Sequence, residues 1–148
     1  MTYENPWCYN GEPFRSEDIG ESEGFVYLIT NLTTGMKYIG KKNFWSVKRL
    51  PPLKGKTRKR KKITESDWKE YYGSSEEVKQ LVESQGCDNF KREILHLCDS
   101  KGEMSYYELK EQVMNDVLFK PDEYYNAFVG AKIHRKHLGV SGGNSDKR

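Results

Sequence analysis

Two tyrosines, Tyr27 and Tyr38, lie eleven residues apart in a stretch with the pattern of a β-hairpin. Apolar runs of strand length flank the turn-forming residues Asn31 to Gly35, so we predict a hairpin over residues 25–42. If its strands pair across that turn, both phenols can lie on one face of the sheet. A lysine- and arginine-rich segment follows directly. Two phenols beside a cluster of cations can bind a phosphate group.

The cationic segment is dense: from Lys41 to Lys62 there are eleven lysines and arginines and no acidic residue. The first 23 residues, by contrast, hold six acidic residues and one arginine. A concentrated cationic stretch points to a polyanion, usually nucleic acid, and the alternative is a solvated loop. We expect salt-sensitive contacts with a nucleic-acid backbone from Lys54, Lys56, Arg58, Lys59, Arg60, Lys61 and Lys62.

Length and composition predict one soluble domain. The 148 residues suffice for a single core, and a hydrophobic fraction of 35% with 32% charged residues predicts a small core. No apolar run reaches membrane-spanning length and no signal-peptide pattern opens the chain, so we expect an intracellular protein without a membrane partner. Three scattered cysteines predict neither a disulfide framework nor a zinc site, and His134 and His137 are expected to be solvated.

The order of elements predicts a small mixed α/β (α+β) domain. We expect a three-stranded antiparallel sheet that starts with the hairpin and is flanked by three or more helices. An extended arm (1–23) carries aromatic residues and should pack on the domain (24–130), which has a basic insertion (50–63). A basic, flexible tail (131–148) follows and should be disordered from about Ser141.

Local signals place the elements after the hairpin. Ser46–Arg49 reads as a possible short helix that Pro51 and Pro52 end, and residues 54–62 read as a loop or an extended segment. The capping box Ser74-Ser-Glu-Glu77 opens a helix, and Gly86 closes it.

A third strand and a second helix complete the predicted domain. Phe90 to Cys98 reads as the strand. The helix starts at Ser100 or Ser105, has apolar residues at positions 106, 109, 113 and 117, and stops at Pro121. Tyr124-Tyr-Asn126 follows as a short extended segment.

Taken together and in order, these pieces resemble the GIY-YIG nuclease family over roughly residues 24–128. The family motif has two halves, Gly-Ile-Tyr and Tyr-Ile-Gly. The second half is present as Tyr38-Ile-Gly40, and the first corresponds to Phe25-Val26-Tyr27, with Phe25-Val26 in place of Gly-Ile. Tyr71–Ser75 and Asn89–Leu95 are similar to phage-encoded members related to homing endonucleases. The resemblance implies a DNA endonuclease that hydrolyses phosphodiester bonds with one divalent metal ion, usually Mg²⁺, with Mn²⁺ able to substitute. If the protein is phage-encoded, it would act in the host cytoplasm.

The resemblance also implies roles for the two tyrosines. Tyr27 would activate or orient the attacking water, and Tyr38 would help to position the water and the phosphate. A phenol with a pKa of about 10 is a poor base unless cations lower that pKa, and Lys41 and Lys42 are candidates to do so. The alternative for either tyrosine is ordinary packing in a strand.

Glu108 corresponds to the family's metal ligand, and a hard carboxylate oxygen suits magnesium. As an alternative, Ser105-x-x-Glu108 is itself a capping box, which would make Glu108 structural. A helix that starts at the earlier box, Ser100-x-x-Glu103, would leave Glu108 in mid-helix. Glu111 is the fallback ligand. Asn126 matches the family's terminal asparagine, which braces the site through hydrogen bonds, and the alternative is an ordinary turn residue.

The phosphate-binding arginine is where this sequence departs from the family pattern. Family members often carry it ten residues after the second tyrosine, where this chain has Lys48, followed by Arg49. Arg49 is the first choice, with Lys42, Lys48, Arg58 or Arg60 as substitutes. The alternatives to an active endonuclease are a weak or inactive nuclease-fold DNA-binding protein and an RNA- or polyanion-binding adaptor. Cleavage of both strands would require a homodimer or sequential nicks.

Overall fold

The structure, a computed structural model, describes residues 3–130 and residue 138. The described part is an α+β fold with a five-stranded sheet, in the order β2-β1-β7-β3-β4, and a separate two-stranded sheet, β5-β6. The strands are β1 (Cys8–Tyr9), β2 (Glu12–Pro13), β3 (Gly24–Asn31), β4 (Lys37–Asn43), β5 (Trp45–Leu50), β6 (Arg60–Glu65) and β7 (Phe90–Cys98). The α-helices are α1 (Glu76–Gln85) and α2 (Lys101–Met114), and single 3₁₀ turns lie at Ser16–Asp18, Trp68–Glu70, Cys87–Asn89 and Val117–Phe119.

The predicted hairpin and third strand are confirmed as the antiparallel unit β7-β3-β4. Within it, Tyr27 lies opposite Gly40 and Ile29 lies opposite Tyr38, which places both tyrosines on one face. The prediction of only three strands is wrong, because β1 adds to β7 in parallel and β2 pairs with β1. These two extra strands are two residues long, too short to leave a periodic pattern in the sequence.

The short helix predicted at Ser46–Arg49 is wrong, since these residues belong to β5. β5 pairs along its whole length with β6, and Val47 lies opposite Ile63. The partner strand begins only after Pro51, Pro52 and the basic loop, and local sequence signals do not reveal it. The described part therefore holds two α-helices where three or more were expected. The basic segment is a loop up to position 59 and a strand from Arg60.

Both predicted helices form, with altered starts and ends. The cap of α1 is Ser75, whose Oγ accepts a hydrogen bond from the Val78 N–H at 3.3 Å, so the box at Ser74 is not the one used. Ser100 caps α2 through a bond of 3.1 Å from the Glu103 N–H. This helix ends at Met114, before the predicted stop at Pro121, and Asp116 then adopts a left-handed conformation with φ of 52°.

The sheet separates two apolar clusters. One face of β3 contributes Phe25 and Tyr27 to a cluster with Trp7, Trp68 and other aromatic residues of the N-terminal segment and of the region before α1. On the other face of the sheet, Val26 of β3 and Ile39 of β4 pack against Met104 of α2 and against Val117. The two tyrosines of the candidate site therefore lie on the aromatic side, and α2 lies on the opposite side.

A buried arginine joins the N-terminal segment to the segment before α1. Arg92 is 1% exposed, and its guanidinium donates to the backbone carbonyls of Asn5 and of Tyr71, the latter at 2.8 Å. The rings of Trp7 and Tyr72 lie 4.8 Å and 4.2 Å from its central carbon. The cation thus has carbonyl and aromatic partners that compensate for its burial.

The tail predicted for residues 131–148, with His134, His137 and Ser141, lies outside the described residues apart from residue 138. Among the helices that the structure describes, none combines the length and the apolar character needed to cross a bilayer.

Candidate active site

Strand β4 carries groups for both sides of the candidate site. It is an edge strand, and its side chains alternate, so Tyr38, Gly40 and Lys42 lie on the aromatic face while Lys41 lies on the α2 face. On the α2 face, the Lys41 Nζ is 3.9 Å from a carboxylate oxygen of Glu108. Residues 123–126 cover this edge at Lys37 and Ile39. Beyond Ile39 no other described strand pairs with β4, so groups from the two faces can act on one substrate there.

Tyr27 is fully buried, and Gly40 makes room for it. A Cβ atom built on Gly40 would overlap the Tyr27 hydroxyl and lie 2.6 Å from the ring carbon that bears it. Glycine is therefore required at position 40, because any larger residue would overlap the Tyr27 side chain. The Tyr27 ring also lies 6.3 Å from the ring of Tyr38 and 5.9 Å from that of Tyr71, measured between centroids.

The Tyr27 hydroxyl has no hydrogen-bond partner among the described residues. The Tyr71 phenol is near enough to raise the pKa of Tyr27, but the two hydroxyls do not have hydrogen-bond geometry. A buried hydroxyl without a partner costs about 1–3 kcal/mol, so it calls for an explanation. A role in binding a substrate oxygen or a water molecule would provide one.

Burial raises the pKa of Tyr27 well above its ordinary value, and the neighbouring phenols of Tyr71 and Tyr38 add to the shift. The expectation that Lys41 and Lys42 lower this pKa is wrong in this structure. Both ammonium groups are bound elsewhere, with Lys41 donating to the Ser105 hydroxyl at 2.8 Å. Tyr27 is consequently a neutral phenol near pH 7.

Tyr38 is half-buried at the edge of the sheet. Its hydroxyl is 2.9 Å from the Ser74 hydroxyl, which explains why Ser74 is not the cap of α1. Burial raises the pKa of Tyr38, and the Ser74 hydrogen bond and the charge of Lys79 oppose that rise. Lys79 on α1 thus acts electrostatically on the site, although no sequence pattern pointed to it.

Glu108 lies in the middle of α2, because the helix is capped at Ser100, and the capping alternative at Ser105 is wrong. Met104, Glu108 and Gln112 form one stripe, of which Met104 and Gln112 are buried against the sheet. The Glu108 side chain is 18% exposed. Burial raises its pKa, and the Lys41 charge partly opposes this shift.

Glu111, the fallback ligand, is held by another partner. Its carboxylate lies 2.7 Å from the His96 Nε2, and the His96 ring stacks on Tyr107 with centroids 4.5 Å apart. Glu108 has a longer ion pair of 3.9 Å and is therefore the more available carboxylate.

The donor set at Glu108 fits a magnesium ion. Mg²⁺ is commonly bound by one or two carboxylates and keeps several water or phosphate oxygens. Glu108 is close enough to raise the pKa of both Tyr27 and Tyr38, so this single half-buried carboxylate and the unpartnered Tyr27 hydroxyl match that chemistry. In residues 3–130 and 138, one group of three potential metal ligands occurs, namely Glu4, Cys87 and Asp88, and it does not include Glu108.

Two buried amides fix the backbone of β4 at Ile39. The Asn126 Oδ1 accepts from the Ile39 N–H at 3.0 Å, and its Nδ2 donates to the Ile39 carbonyl at 2.8 Å. Gln112 donates to the same carbonyl at 3.0 Å. Asn126 was expected from the sequence to brace the site. Gln112 was missed, and the signal for it is a polar residue one turn beyond Glu108 on the same helix face.

Lys42 is the cation that β4 places on the tyrosine side. Its Nζ lies 2.6 Å from a carboxylate oxygen of Asp67 and 4.2 Å from the centroid of the Tyr71 ring. Tyr71 in turn makes an edge contact with Tyr27. The sequence indicated Tyr71 only as part of a family-like segment, yet it is the third phenol of this cluster.

Arg49 and Lys48 occupy β5 and are exposed. They point to opposite faces of the β5-β6 hairpin, where Arg49 lies opposite Lys61 and Lys48 lies opposite Lys62. Neither belongs to the sheet that carries the two tyrosines, as Lys42 does. Their role as the phosphate-binding cation therefore stays a prediction.

This fold and the arrangement of tyrosines and glutamate agree with the GIY-YIG resemblance of the sequence, and a comparison with known families shows the class of the domain. Residues 7–129 match the family described as "Putative endonuclease segE, GIY-YIG domain", and the chain belongs to that family, which confirms the resemblance seen in the sequence. It is 31% identical over 102 residues to "Putative endonuclease segE" of Enterobacteria phage T4, which covers 69% of this chain and 39% of the relative.

A second relative is "Putative endonuclease segD" of the same phage, which is 28% identical over 107 residues, or 72% of this chain and 38% of the relative. The chain thus spans less than two fifths of the length of these curated relatives. No solved structure matches it.

Proposed function

We propose that this chain is a divalent-metal-dependent endonuclease of the phage GIY-YIG type, related to homing enzymes, that hydrolyses DNA phosphodiester bonds. The observation that carries the proposal is the edge strand β4. It presents Tyr38 and Lys42 on one face and the Lys41–Glu108 pair on the other. Membership of the family supports nuclease chemistry, whereas DNA as the substrate, the metal ion and the homing type are parts of the proposal.

The reaction forms one P–O bond to a water oxygen, which releases a proton to solvent, and breaks the P–O bond to the leaving sugar oxygen, which takes up a proton. In the proposed mechanism Tyr27 acts as a neutral phenol, because burial raises its pKa. It therefore orients the attacking water through a hydrogen bond and does not remove its proton as a phenolate. Tyr38, which is partly exposed, contacts the same water or the phosphate.

Glu108 would hold the metal ion, with Mg²⁺ the preferred ion and Mn²⁺ able to substitute. Such an ion stabilises negative charge on the phosphate oxygens and lowers the pKa of bound water. The Glu108 carboxylate must be ionised to act as a ligand, and the nearby Lys41 charge favours the ionised form against the effect of burial. Lys41 thereby supports the site from the α2 side.

Lys42 is proposed as the phosphate-binding cation in place of Arg49. It lies on the tyrosine face of β4, is mostly buried and touches the Tyr71 ring. An ammonium group at this position can offset charge that develops on the phosphate in the transition state. Arg49 and Lys48, on the hairpin, are better placed to bind DNA that flanks the reacting bond.

Cleavage of supercoiled plasmid DNA tests the proposal. The wild type should nick the plasmid with Mg²⁺ or Mn²⁺ and not with EDTA, and Glu108→Ala should slow nicking at least about 100-fold. Glu83→Ala, which removes an exposed carboxylate from α1, is the matched control and should behave as the wild type. Absence of nicking by the wild type with either metal, or full activity in Glu108→Ala, would overturn the proposal.

The same assay separates an active endonuclease from the two alternative hypotheses, an inactive DNA-binding protein and a polyanion-binding adaptor. An inactive DNA-binding protein would shift plasmid mobility without nicking under any metal condition. A polyanion-binding adaptor would lose its function on deletion of residues 54–62 and would be indifferent to Glu108→Ala. The ratio of open-circular to linear product reports whether one protomer nicks alone or a homodimer cuts both strands.

A further inference from the structure

The hairpin formed by β5, the loop 51–59 and β6, here called the basic hairpin, projects from the domain. Its strands pair with each other and with no other described strand. At its base, the Trp45 indole donates to the Ser22 carbonyl at 3.2 Å, and the Ser66 N–H donates to the Phe44 carbonyl at 2.8 Å. Beyond that base nearly every residue is exposed. The basic hairpin is therefore anchored at one end and free at the other.

The charges of the basic hairpin are uncompensated within the described structure. Residues 46–64 include nine lysines and arginines and no acidic residue. Glu65, at the base of β6, accepts hydrogen bonds from Ser16 and Trp68. Lys48 lies directly opposite Lys62, and Arg49 lies opposite Lys61. Like charges opposite each other destabilise a strand pair, and none of the described ion pairs includes these four residues. A polyanionic partner would relieve this repulsion.

One face of the basic hairpin adds an apolar pair to these cations. Val47 and Ile63 lie opposite each other and are 55% and 62% exposed, on the same face as Arg49 and Lys61. A two-stranded β-ribbon fits the major groove of B-DNA, which is about 12 Å wide, and apolar side chains there contact thymine methyl groups. Strands of six residues reach about 20 Å, enough to follow the groove for several base pairs.

The base of the basic hairpin leads directly to the candidate active site. β5 begins two positions after the last residue of β4, and Asp67, two residues after β6, binds Lys42. A cleft at this junction is lined by Lys42, Trp45, Asp67 and Lys101, among others. A duplex bound along the ribbon would therefore extend to the β4 edge.

We propose that the basic hairpin is a DNA-reading ribbon that enters the major groove of a duplex. Arg49 and Lys61, on the same face as the Val47–Ile63 pair, contact phosphates on the two sides of the groove, and that pair contacts base edges. Lys48 and Lys62, on the opposite face, point away from the bases. This inference rests on the proposed function, since it takes duplex DNA as the substrate. The ribbon should read DNA and not double-stranded RNA, whose major groove is too deep and narrow for side chains to read.

Binding measured by fluorescence anisotropy without added metal tests the charge contribution. Arg49→Ala/Lys61→Ala should weaken binding to a DNA duplex roughly tenfold or more at 0.1 M salt and reduce the salt slope by about 2. Lys91→Ala, which removes an exposed cation from β7, is the control and should leave the affinity unchanged. Wild-type affinity in the double variant, or equal binding to an RNA duplex, would overturn the inference.

Dimethyl sulfate protection tests the groove without any variant. The reagent methylates guanine N7 in the major groove and adenine N3 in the minor groove. The wild type should protect guanine N7 across part of one helical turn, and protection limited to adenine N3 would overturn the inference. Val47→Thr/Ile63→Thr keeps both side chains β-branched. The wild type should prefer a thymine duplex to the matched uracil duplex, and this variant should not. No preference in the wild type, or a retained preference in the variant, would overturn base contact by this pair.

The two proposals fail in different ways. If the wild type neither binds nor nicks DNA, the proposed function itself is wrong. If the wild type nicks DNA but shows no protection of guanine N7, only the ribbon is wrong. Unchanged thermal unfolding of the hairpin variants confirms that lost affinity is not lost folding.

Discussion

The Asn126 side chain is hydrogen-bonded to both backbone polar groups of Ile39, at 3.0 Å and 2.8 Å. Ile39 lies between Tyr38 and Gly40 on an edge strand, so these bonds supply what a further strand would supply. Gln112 gives the Ile39 carbonyl a second donor. The position of the two site residues on either side of Ile39 therefore depends on amides from two other segments.

Asn126→Ala should destabilise the domain more than Gln112→Ala. The first change leaves the buried Ile39 N–H without a partner and should cost about 1–3 kcal/mol, whereas after the second the carbonyl keeps its bond from Asn126 and the cost should be about 0.5–1.5 kcal/mol. Urea unfolding of both variants measures the difference. An equal or greater loss in Gln112→Ala would contradict the asymmetry.

Tyr27→Phe should separate stability from activity. Removing a buried hydroxyl that has no described partner should leave stability unchanged or raise it by about 1 kcal/mol. Nicking should fall about 100-fold or more if this hydroxyl orients water. Tyr3→Phe is the matched control, since the Tyr3 hydroxyl donates to the Phe14 carbonyl at 2.7 Å and its loss should destabilise the domain. Destabilisation by Tyr27→Phe would show that the hydroxyl has a structural bond.

Gly40→Ala should damage the site through Tyr27. The new Cβ would overlap the phenol, so the ring must move, at a cost of about 1–3 kcal/mol typical of overpacking. A double-mutant cycle with Tyr27→Leu is the appropriate measurement, and the cost of Gly40→Ala should shrink when the phenol is absent. Additive costs would mean that the strain lies elsewhere on β4.

Glu108→Gln should stabilise the metal-free protein at neutral pH while it abolishes nicking. Burial raises the folded-state pKa of Glu108, so its ionised form disfavours the fold at pH values above that pKa. The gain in melting temperature, roughly 1–4 °C, should be complete above the raised pKa and vanish as pH falls below the unfolded value of about 4.3. Thermal unfolding between pH 4 and 8 measures it.

The control for that experiment is Glu111→Gln, which weakens the contact with His96 and should not stabilise the protein. If Glu111→Gln abolished nicking and Glu108→Gln did not, the metal ligand would be Glu111.

Lys42→Ala and Arg49→Ala should affect different steps. Loss of Lys42 beside the phenols should lower the single-turnover rate at saturating DNA by about 100-fold, with little change in affinity. Loss of Arg49 on the basic hairpin should weaken DNA binding and leave that rate nearly unchanged. Single-turnover cleavage across DNA concentrations separates the two effects, and a rate loss confined to Arg49→Ala would restore arginine as the phosphate-binding residue.

The sequence predicted the parts of the fold that local patterns determine. The β3-β4 hairpin and β7 were predicted correctly because each alternates or runs apolar over strand length. β5 was mistaken for a helix because its partner, Arg60–Glu65, is separated from it by a proline turn and a basic loop. The β1 addition to β7 was missed because two-residue strands have no periodicity.

The residues of the candidate site were selected from the sequence by type and order, whereas their electrostatics were not predictable. Tyr27, Tyr38, Glu108 and Asn126 were selected from the order of the motifs. The predicted direction of the Tyr27 pKa shift was wrong. Proximity in sequence does not show on which face of β4 a lysine side chain lies, nor which acceptor it binds. Lys41 lies on the α2 face, and Lys42 is bound to Asp67.

The carbonyl and aromatic partners of buried Arg92 limit how far the protein can be truncated from its N-terminus. Its guanidinium depends on carbonyl groups from the first residues of the chain, including Asn5, and on the ring of Trp7. A fragment that begins at Gly24 would keep every proposed catalytic residue but would strip a buried cation of these partners, and an uncompensated buried charge is strongly destabilising. A stable fragment of the domain should therefore include the N-terminal segment that carries Asn5 and Trp7.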